Sequence, residues 1–248
     1  MPVLLGIDIG GSGIKGNLVE PETGLLLAER FKVPTPQPSL PPDVANAVAE
    51  VASHFAYRGP IGCTFPAIVK GGVTWSAANV DTAWIGYDAA GLFGRVTGER
   101  ITVINDADAA GMAEMAFGAG AGERGVVLVL TFGTGIGSAL FSDGRLVPNT
   151  EFGHIELAGF RPVEQWAAAR VRSDEDLTWE DWGRRVDRLL HHLEQVLSPD
   201  LFIIGGGVAR RFAKFQDFLT VPVKTVAALL ENEAGIVGAA MAAARSIR

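Results

Sequence analysis

Two stretches of this chain spell the same order of elements. LLGIDIGGSGIKGNLVEPETGLLL (residues 4–27) and GVVLVLTFGTGIGSALFS with the following Asp143-Gly144 and Arg145 to Val147 each read as strand, glycine loop, strand, turn, strand. Val3 to Ile9 and Ile14 to Glu20 have the length and apolar content of strands, and Leu25 to Val33 reads as a third. Pro21-Glu22-Thr23-Gly24 and Asp143-Gly144 supply the turn chemistry. The repetition predicts a duplicated unit. Two such halves facing each other would bring both glycine loops to the mouth of a central cleft, where two sets of backbone N–H groups clamp a row of phosphates. A chain of 248 residues is long enough for two lobes.

The first loop, GSGIKG, is formally a G-x-G-x-x-G. A dinucleotide fold would place a helix after it, with the pyrophosphate on the helix N-terminus. Pro21 and Gly24 interrupt any such helix, and no acidic residue ends a second parallel strand at the expected distance. A protein-kinase glycine loop does lie between strands, but the chain has no V-A-I-K, H-R-D or D-F-G.

Helices follow the strand clusters. Val44, Val48, Val51 and Phe55 recur at helical spacing in Pro42 to Tyr57, with Asp43 expected as the cap, after a loop carrying prolines 34, 36, 38 and 41. Ile101 to Ile104 is expected as a strand ending at Asn105-Asp106, which opens a helix running through Met115. Thr178 precedes a long helix with Trp182, Val186, Leu189, Leu193 and Val196 on one face, stopped at Ser198-Pro199; His191 and His192 fall on its polar side. Leu201 to Ile204 then runs as a strand into Gly205-Gly206-Gly207, and Ala234 to Ser246 closes the chain as a helix. The pattern is α/β with two mixed sheets. We expect a smaller N-terminal lobe over residues 1–106, with helix 235–248 packing back on it, and a larger C-terminal lobe over 107–234.

Charge and composition narrow the function. A net charge of −7 argues against a broad nucleic-acid surface, though a polyanion can still occupy a local basic pocket. Without a basic stripe, the five tryptophans read as packing groups. One cysteine, Cys63, excludes an intramolecular disulfide and, with four histidines, leaves little material for structural zinc. No basic leader and no membrane-length apolar run is present, so a cytoplasmic location without membrane attachment is expected.

In the first loop Gly10, Gly11 and Gly13 let phosphate oxygens approach the backbone, Ser12 adds a hydroxyl and Lys15 a charge. Asp8 suits a magnesium ion held through water. One such loop alone reads more readily as a glycine-rich turn with a surface lysine, and the second loop, Phe132 to Gly137, reverses that preference. Asp106, at a strand-to-helix junction, suits both an N-cap and a general base that takes the proton of an attacking sugar hydroxyl. Asn105 beside it could read the same sugar. Glu151 and His154, bent around Gly153, suit a polyol, and read equally as a loop glutamate with a hydrogen-bonded histidine. A metal site at His154 with Glu151 or Glu156 is the weaker reading, because no further histidine or cysteine lies nearby.

Asp8-Ile9-Gly10-Gly11-Ser12 with Lys15, Asn105-Asp106, Thr131-Phe132-Gly133-Thr134-Gly135 and Glu151-Phe152-Gly153-His154, in that order, resemble the ROK family of sugar kinases, and Gly235 to Ala240 is similar to that family's closing helix. The resemblance implies the duplicated actin and hexokinase (ribonuclease H-like) fold. FGTGIGSALF, Asn149 to Glu156, Leu177 to Glu180 and Ser198 to Leu201 look like its polyphosphate glucokinase branch, as does the missing cysteine-rich zinc motif. By resemblance Asp106 is the base, and Asn79, Asn105, Asp106, Glu151, His154 and Glu164 hold glucose. Thr64 to Ala67 borders the sugar, while Thr131, Gly133, Thr134 and Gly135 join the first loop in binding phosphate. The implied donor is inorganic polyphosphate, with ATP admitted by the similarity of Gly205 to Gly207 to an adenosine-side loop. Lys15, Arg145, Arg161 and Lys224 are candidate cations for the donor. The implied cofactor is Mg2+ without zinc, and the implied assembly a homodimer. An ATP-only hexose kinase and a non-catalytic sugar-binding protein stand as alternatives. A sugar-responsive repressor of the same family would carry a helix-turn-helix before the first strand, for which Val3 leaves no room.

Overall fold

The computed structural model describes residues 2–77 and 80–246, and these fall into two compact units, one of the described residues up to 113 together with 233–246, the other of 114–232. The first contains β1 (Leu4–Ile9), β2 (Ile14–Glu20), β3 (Leu25–Leu26), β4 (Phe31–Val33), α1 (Pro41–His54), β5 (Ile61–Phe65), β6 (Val69–Lys70), β7 (Val73–Thr74), β8 (Tyr87–Asp88), α2 (Ala89–Thr97), β9 (Ile101–Asn105) and the start of α3 (Asp106–Phe117). The second contains β10 (Val126–Phe132), β11 (Ile136–Ser142), β12 (Arg145–Val147), α4 (Glu164–Ala167), α5 (Ala169–Asp174), α6 (Trp179–Leu197), β13 (Leu201–Gly206) and β14 (Lys224–Ala227). The final helix, α7 (Ala234–Ser246), belongs to the first unit.

The duplication is visible in the topology. In the first sheet β1 pairs antiparallel with β2 and parallel with β5, which pairs parallel with β9. In the second, β10 pairs antiparallel with β11 and parallel with β13, which pairs parallel with β14. Each strand–loop–strand segment is therefore a hairpin at the heart of a mixed sheet. The β11–β12 turn places Asp143 and Gly144 both at positive φ, 49° and 75°, the twist that two-residue hairpins favour. A small separate sheet, β6-β7-β8, was not expected from the sequence.

Three local expectations are corrected. The strand expected over Leu25 to Val33 is two short strands, both on β2, because the buried side chain of Asn17 takes over the backbone between them: its Nδ2 donates to the Ala28 carbonyl (2.8 Å) and its Oδ1 accepts from the Ala28 N–H (3.1 Å). Asp43 is not the cap of α1. Leu40 holds that position without a side-chain hydrogen bond, proline opens the helix, and Asp43 sits in the first turn, where its charge still suits the dipole. On α6, Val196 is exposed and the apolar face is Trp182, Val186, Leu189, Leu190 and Leu193; Thr178 does cap that helix, accepting from the Asp181 N–H.

Helix α7 packs on the first sheet at backbone distance. Gly6 and Gly62 face each other in the β1–β5 register, and a Cβ on either would lie 2.1 Å from the Ile236 carbonyl oxygen and 1.8 Å from that of Ala239, respectively. On another side of the helix, a Cβ at Gly238 would lie 1.8 Å from the carbonyl oxygen of Ala109 on α3. Gly62→Ala is expected to lower stability by about 3 kcal/mol, the upper end for overpacking, because the obstacle is backbone that cannot rotate away. Urea denaturation measures this, and a loss under about 1 kcal/mol would mean that the helix slides at little cost.

Candidate active site

In the first unit, Asp8 is the centre of a polar cluster. Thr64, fully buried at the end of β5, accepts from the Ile9 N–H at 3.0 Å and donates to Asp8 Oδ1 at 2.6 Å. Since the threonine oxygen already accepts a backbone hydrogen, its own proton is committed to the carboxylate. Lys15 Nζ lies 3.0 Å from Asp8 Oδ2. A Cβ at Gly235, in the first turn of α7, would come within 2.7 Å of the carboxylate, so glycine makes room for it there.

The adjoining loop is held mainly through its carbonyls. Its carbonyls are tied down: Gly13 accepts from the Gly10 N–H at 3.0 Å, Gly10 accepts from the Thr35 hydroxyl, and Gly11 accepts a longer bond, 3.4 Å, from Gln37 Nε2. Gly11 and Ser12 are exposed. Gly11 lies outside the left-handed region, and a Cβ there would meet nothing within 4 Å, so its backbone demands no glycine while leaving open space for an approaching oxygen. Gly133 in the second loop shares both properties. The triplet Gly205 to Gly207, at the end of β13, is different. Gly206 sits at φ 79° with its Cβ position 2.3 Å from the Phe132 carbonyl oxygen, which explains one of its glycines by packing alone.

Asp106 begins α3 and is half-buried, and its Oδ1 accepts from the Ala107 N–H at 2.9 Å. The capping role considered for Asp106 is carried instead by Asn105, whose Oδ1 accepts from the Asp108 N–H (2.9 Å) while its Nδ2 donates to the Ala67 carbonyl (3.1 Å). Asn105 thereby fixes where the helix starts and which way residue 106 leaves it. Asn79 lies outside the described residues.

In the second unit the Glu151 to His154 turn is stapled to β11. Ser138, buried on that strand, donates to the Thr150 carbonyl and accepts from the Phe152 N–H, and Gly153 packs on the Ile136 carbonyl. His154 then stands between two carboxylates, Nδ1 3.9 Å from Glu151 and Nε2 3.8 Å from Glu164. Glu164, at the start of α4, also accepts from the Ile136 N–H at 3.0 Å. Burial raises the Glu151 carboxyl above its ordinary range; His154 pulls it back and Glu164 pushes it further. The sequence offered no signal for Ser138. Of the donor cations, Lys224 pairs with Glu123 at 2.8 Å, Arg161 lies near Glu156 at 3.9 Å, and Arg145 is exposed at the start of β12.

The family model described as "ROK family" matches residues 4–172. The chain belongs to the ROK family. Among its ROK relatives, a polyphosphate glucokinase of Mycobacterium tuberculosis (strain CDC 1551 / Oshkosh) is 50% identical over 238 residues, 96% of this chain and 89% of that protein. The crystal structure of an inorganic polyphosphate/ATP-glucomannokinase from Arthrobacter sp. strain KM superposes with a TM-score of 0.95 at 48% identity, covering 99% of this chain and all of the other. A ROK glucokinase from Streptomyces griseus, solved with glucose and AMPPNP, shares the fold with a TM-score of 0.82 at 24% identity, over 96% of this chain and 98% of its own. The actin and hexokinase-like ROK fold expected from the sequence is thus the fold of this chain. Among the described residues no helix is long and apolar enough to cross a membrane.

Two outcomes follow from this geometry. Gly11→Ala should change stability by no more than about 1 kcal/mol yet raise the KM for the phosphoryl donor at least tenfold, and an unchanged donor KM would take Gly11 out of the phosphate site. For Glu151, the folded chain keeps its proton to higher pH than the unfolded chain does, so its contribution to stability is greatest at low pH. That contribution falls as pH rises from the ordinary glutamate value, about 4.3, to the raised one. Urea titrations across that window should show a slope that Glu151→Gln flattens; parallel curves would contradict the buried-carboxyl account.

Proposed function

We propose that this chain is a glucokinase that transfers a phosphoryl group from inorganic polyphosphate, and also from ATP, to the 6-hydroxyl of glucose. The observation that carries this reading is the identity of half the residues, over 96% of the chain, to a polyphosphate glucokinase. The chemistry of the two units supports it. Asp106 is the base: the sugar oxygen attacks the terminal phosphorus, the phosphoanhydride bond breaks, the hydroxyl proton passes to the carboxylate, and the shortened polyphosphate or ADP leaves. Glu151, His154 and Glu164 supply acceptors and donors for sugar hydroxyls, joined in this reading by Asn79 and Asn105. In this reading the donor phosphates meet the loops at Gly10 to Gly13 and at Thr131 to Gly135 through N–H groups other than those of Gly10 and Gly133, which are bonded inside their own loops.

The reading includes a magnesium ion. Its fit is tested by the donor set at Asp8, a hard carboxylate whose Oδ1 is occupied by Thr64 and whose Oδ2 faces Lys15. That set suits an ion held through water and completed by phosphate oxygens, the usual habit of Mg2+. When bound, the metal would neutralise charge on the donor. Lys15 holds Asp8 in place from the side opposite Thr64. A homodimer, which rests on the family resemblance, and a cytoplasmic location, which rests on the sequence pattern, complete the reading.

Glucose, Mg2+ and long-chain polyphosphate should yield glucose 6-phosphate, and Asp106→Asn should lower kcat by about 10²–10⁴ with glucose affinity within threefold of the parent. Coupled assays with the two donors and glucose calorimetry check this. Turnover with ATP alone would shift the donor assignment, and full turnover in the variant would remove Asp106 from the proton transfer.

A further inference from the structure

The strand pairings place three charged residues in one row. Asp8 on β1 stands opposite Lys15 on β2, and Lys15 stands opposite Lys32 on β4. Directly opposed residues project from the same face of a sheet, and like charges placed so repel. Asp8 neutralises Lys15 at 3.0 Å, whereas the exposed Lys32 has no ion-pair partner among the described residues. The row therefore carries one uncompensated positive charge.

Where Lys32 lies gives that charge a purpose. A Cβ at Gly13 would be 2.1 Å from Lys32 Cε and 3.0 Å from its Nζ, so the lysine stem rests directly on the glycine loop. Gly13 is outside the left-handed region, and its lack of a side chain serves the close passage of this lysine. The segment after β4 adds Thr35 and Gln37, which take the carbonyls of Gly10 and Gly11. One short stretch, residues 32–37, thus lays a cation over the loop and ties up oxygens that would repel an anion.

We propose that Lys32 is a donor-binding residue, a second cation at the first glycine loop that contacts a phosphate of a linear polyphosphate chain. This deepens the polyphosphate reading above and rests on it for the identity of the ligand. A chain of linked phosphates presents a negative charge at each unit, so a cation beside the loop engages a further unit of the same ligand. Lys32 is a binding residue and takes no part in proton transfer.

The test is calorimetric binding of sodium tripolyphosphate to the full chain, with Mg2+, at several salt concentrations, for the parent, Lys32→Met and Lys32→Arg. Lys32→Met is expected to weaken binding about fivefold and, because one charge contact is lost, to make the dependence of log K on log salt shallower. Lys32→Arg should restore both to near the parent. A folding defect is read separately from the thermal midpoint, which should hold or rise once the opposed lysines are separated. Unchanged affinity and salt slope in Lys32→Met would overturn the proposal while leaving the glucokinase reading intact. Loss of affinity in that variant, with no glucose 6-phosphate formed from polyphosphate by the parent, would sustain Lys32 as a phosphate ligand and remove polyphosphate as the donor. A parent that binds no tripolyphosphate would overturn the Lys32 assignment, and the donor reading would then stand or fall on the turnover assay with long-chain polyphosphate.

Discussion

The first unit depends on how closely one helix can approach one sheet. Gly6 and Gly62, neighbours across β1 and β5, leave a floor without side chains, and the carbonyls of Ile236 and Ala239 on α7 rest where methyl groups would otherwise stand. At that separation the beginning of α7 reaches the C-terminal end of β1, and Gly235 comes against the Asp8 carboxylate. The same helix meets α3 through Gly238 and Ala109, three residues beyond Asp106. A single backbone-to-backbone packing therefore fixes the framework on which both carboxylates are mounted. Because the obstacles on each side are peptide groups, the arrangement has little room to relax, as interiors packed at crystal density do not.

Much of this was legible in the chain and some of it was not, for identifiable reasons. Hairpins, the long amphipathic helix and the closing helix are local, and period, turn residues and caps mark them; the β10–β11 hairpin, Thr178 and Ala234 to Ser246 fall where expected. What escaped depends on partners distant in sequence. Asn17 splits the third strand by claiming the backbone of Ala28, eleven residues on. Asn105 takes the capping role considered for Asp106, and what holds its amide is the carbonyl of Ala67, 38 residues back. The glycines at 6 and 62 carry no local signal of the helix from the far end of the chain that needs them. Lys32 escaped because its position opposite Lys15 depends on β4 returning to β2 after a break, which no local rule announces.

The duplication also shows how one architecture is given two chemistries. Aligned by their loops, Ile9 and Ile14 correspond to Phe132 and Ile136, the last pairs of the two hairpins. One step back, Asp8 opposite Lys15 corresponds to Thr131 opposite Gly137. The first hairpin carries an ion pair at the position where the second carries a hydroxyl and no side chain at all. Further back, Gly6 beside Gly62 corresponds to Val129 beside Ile203, so the bare floor that admits a helix backbone in the first sheet is covered with branched side chains in the second.

This asymmetry has an electrostatic logic. A buried or half-buried carboxylate is tolerable only beside a compensating cation, and Asp8 has one in Lys15 at 3.0 Å. A carboxylate repeated in the second hairpin would have no lysine beside it, since Gly137 stands where Lys15 does, whereas Thr131 places a hydroxyl there without an uncompensated charge. In the second unit the acidic groups stand elsewhere, at Glu151 and Glu164 flanking His154, and burial favours the protonated form of Glu151. Identical strand pairings thus hold charge in one half and neutral hydrogen-bonding groups in the other, and the difference lies in the few side chains placed at the ends of the strands.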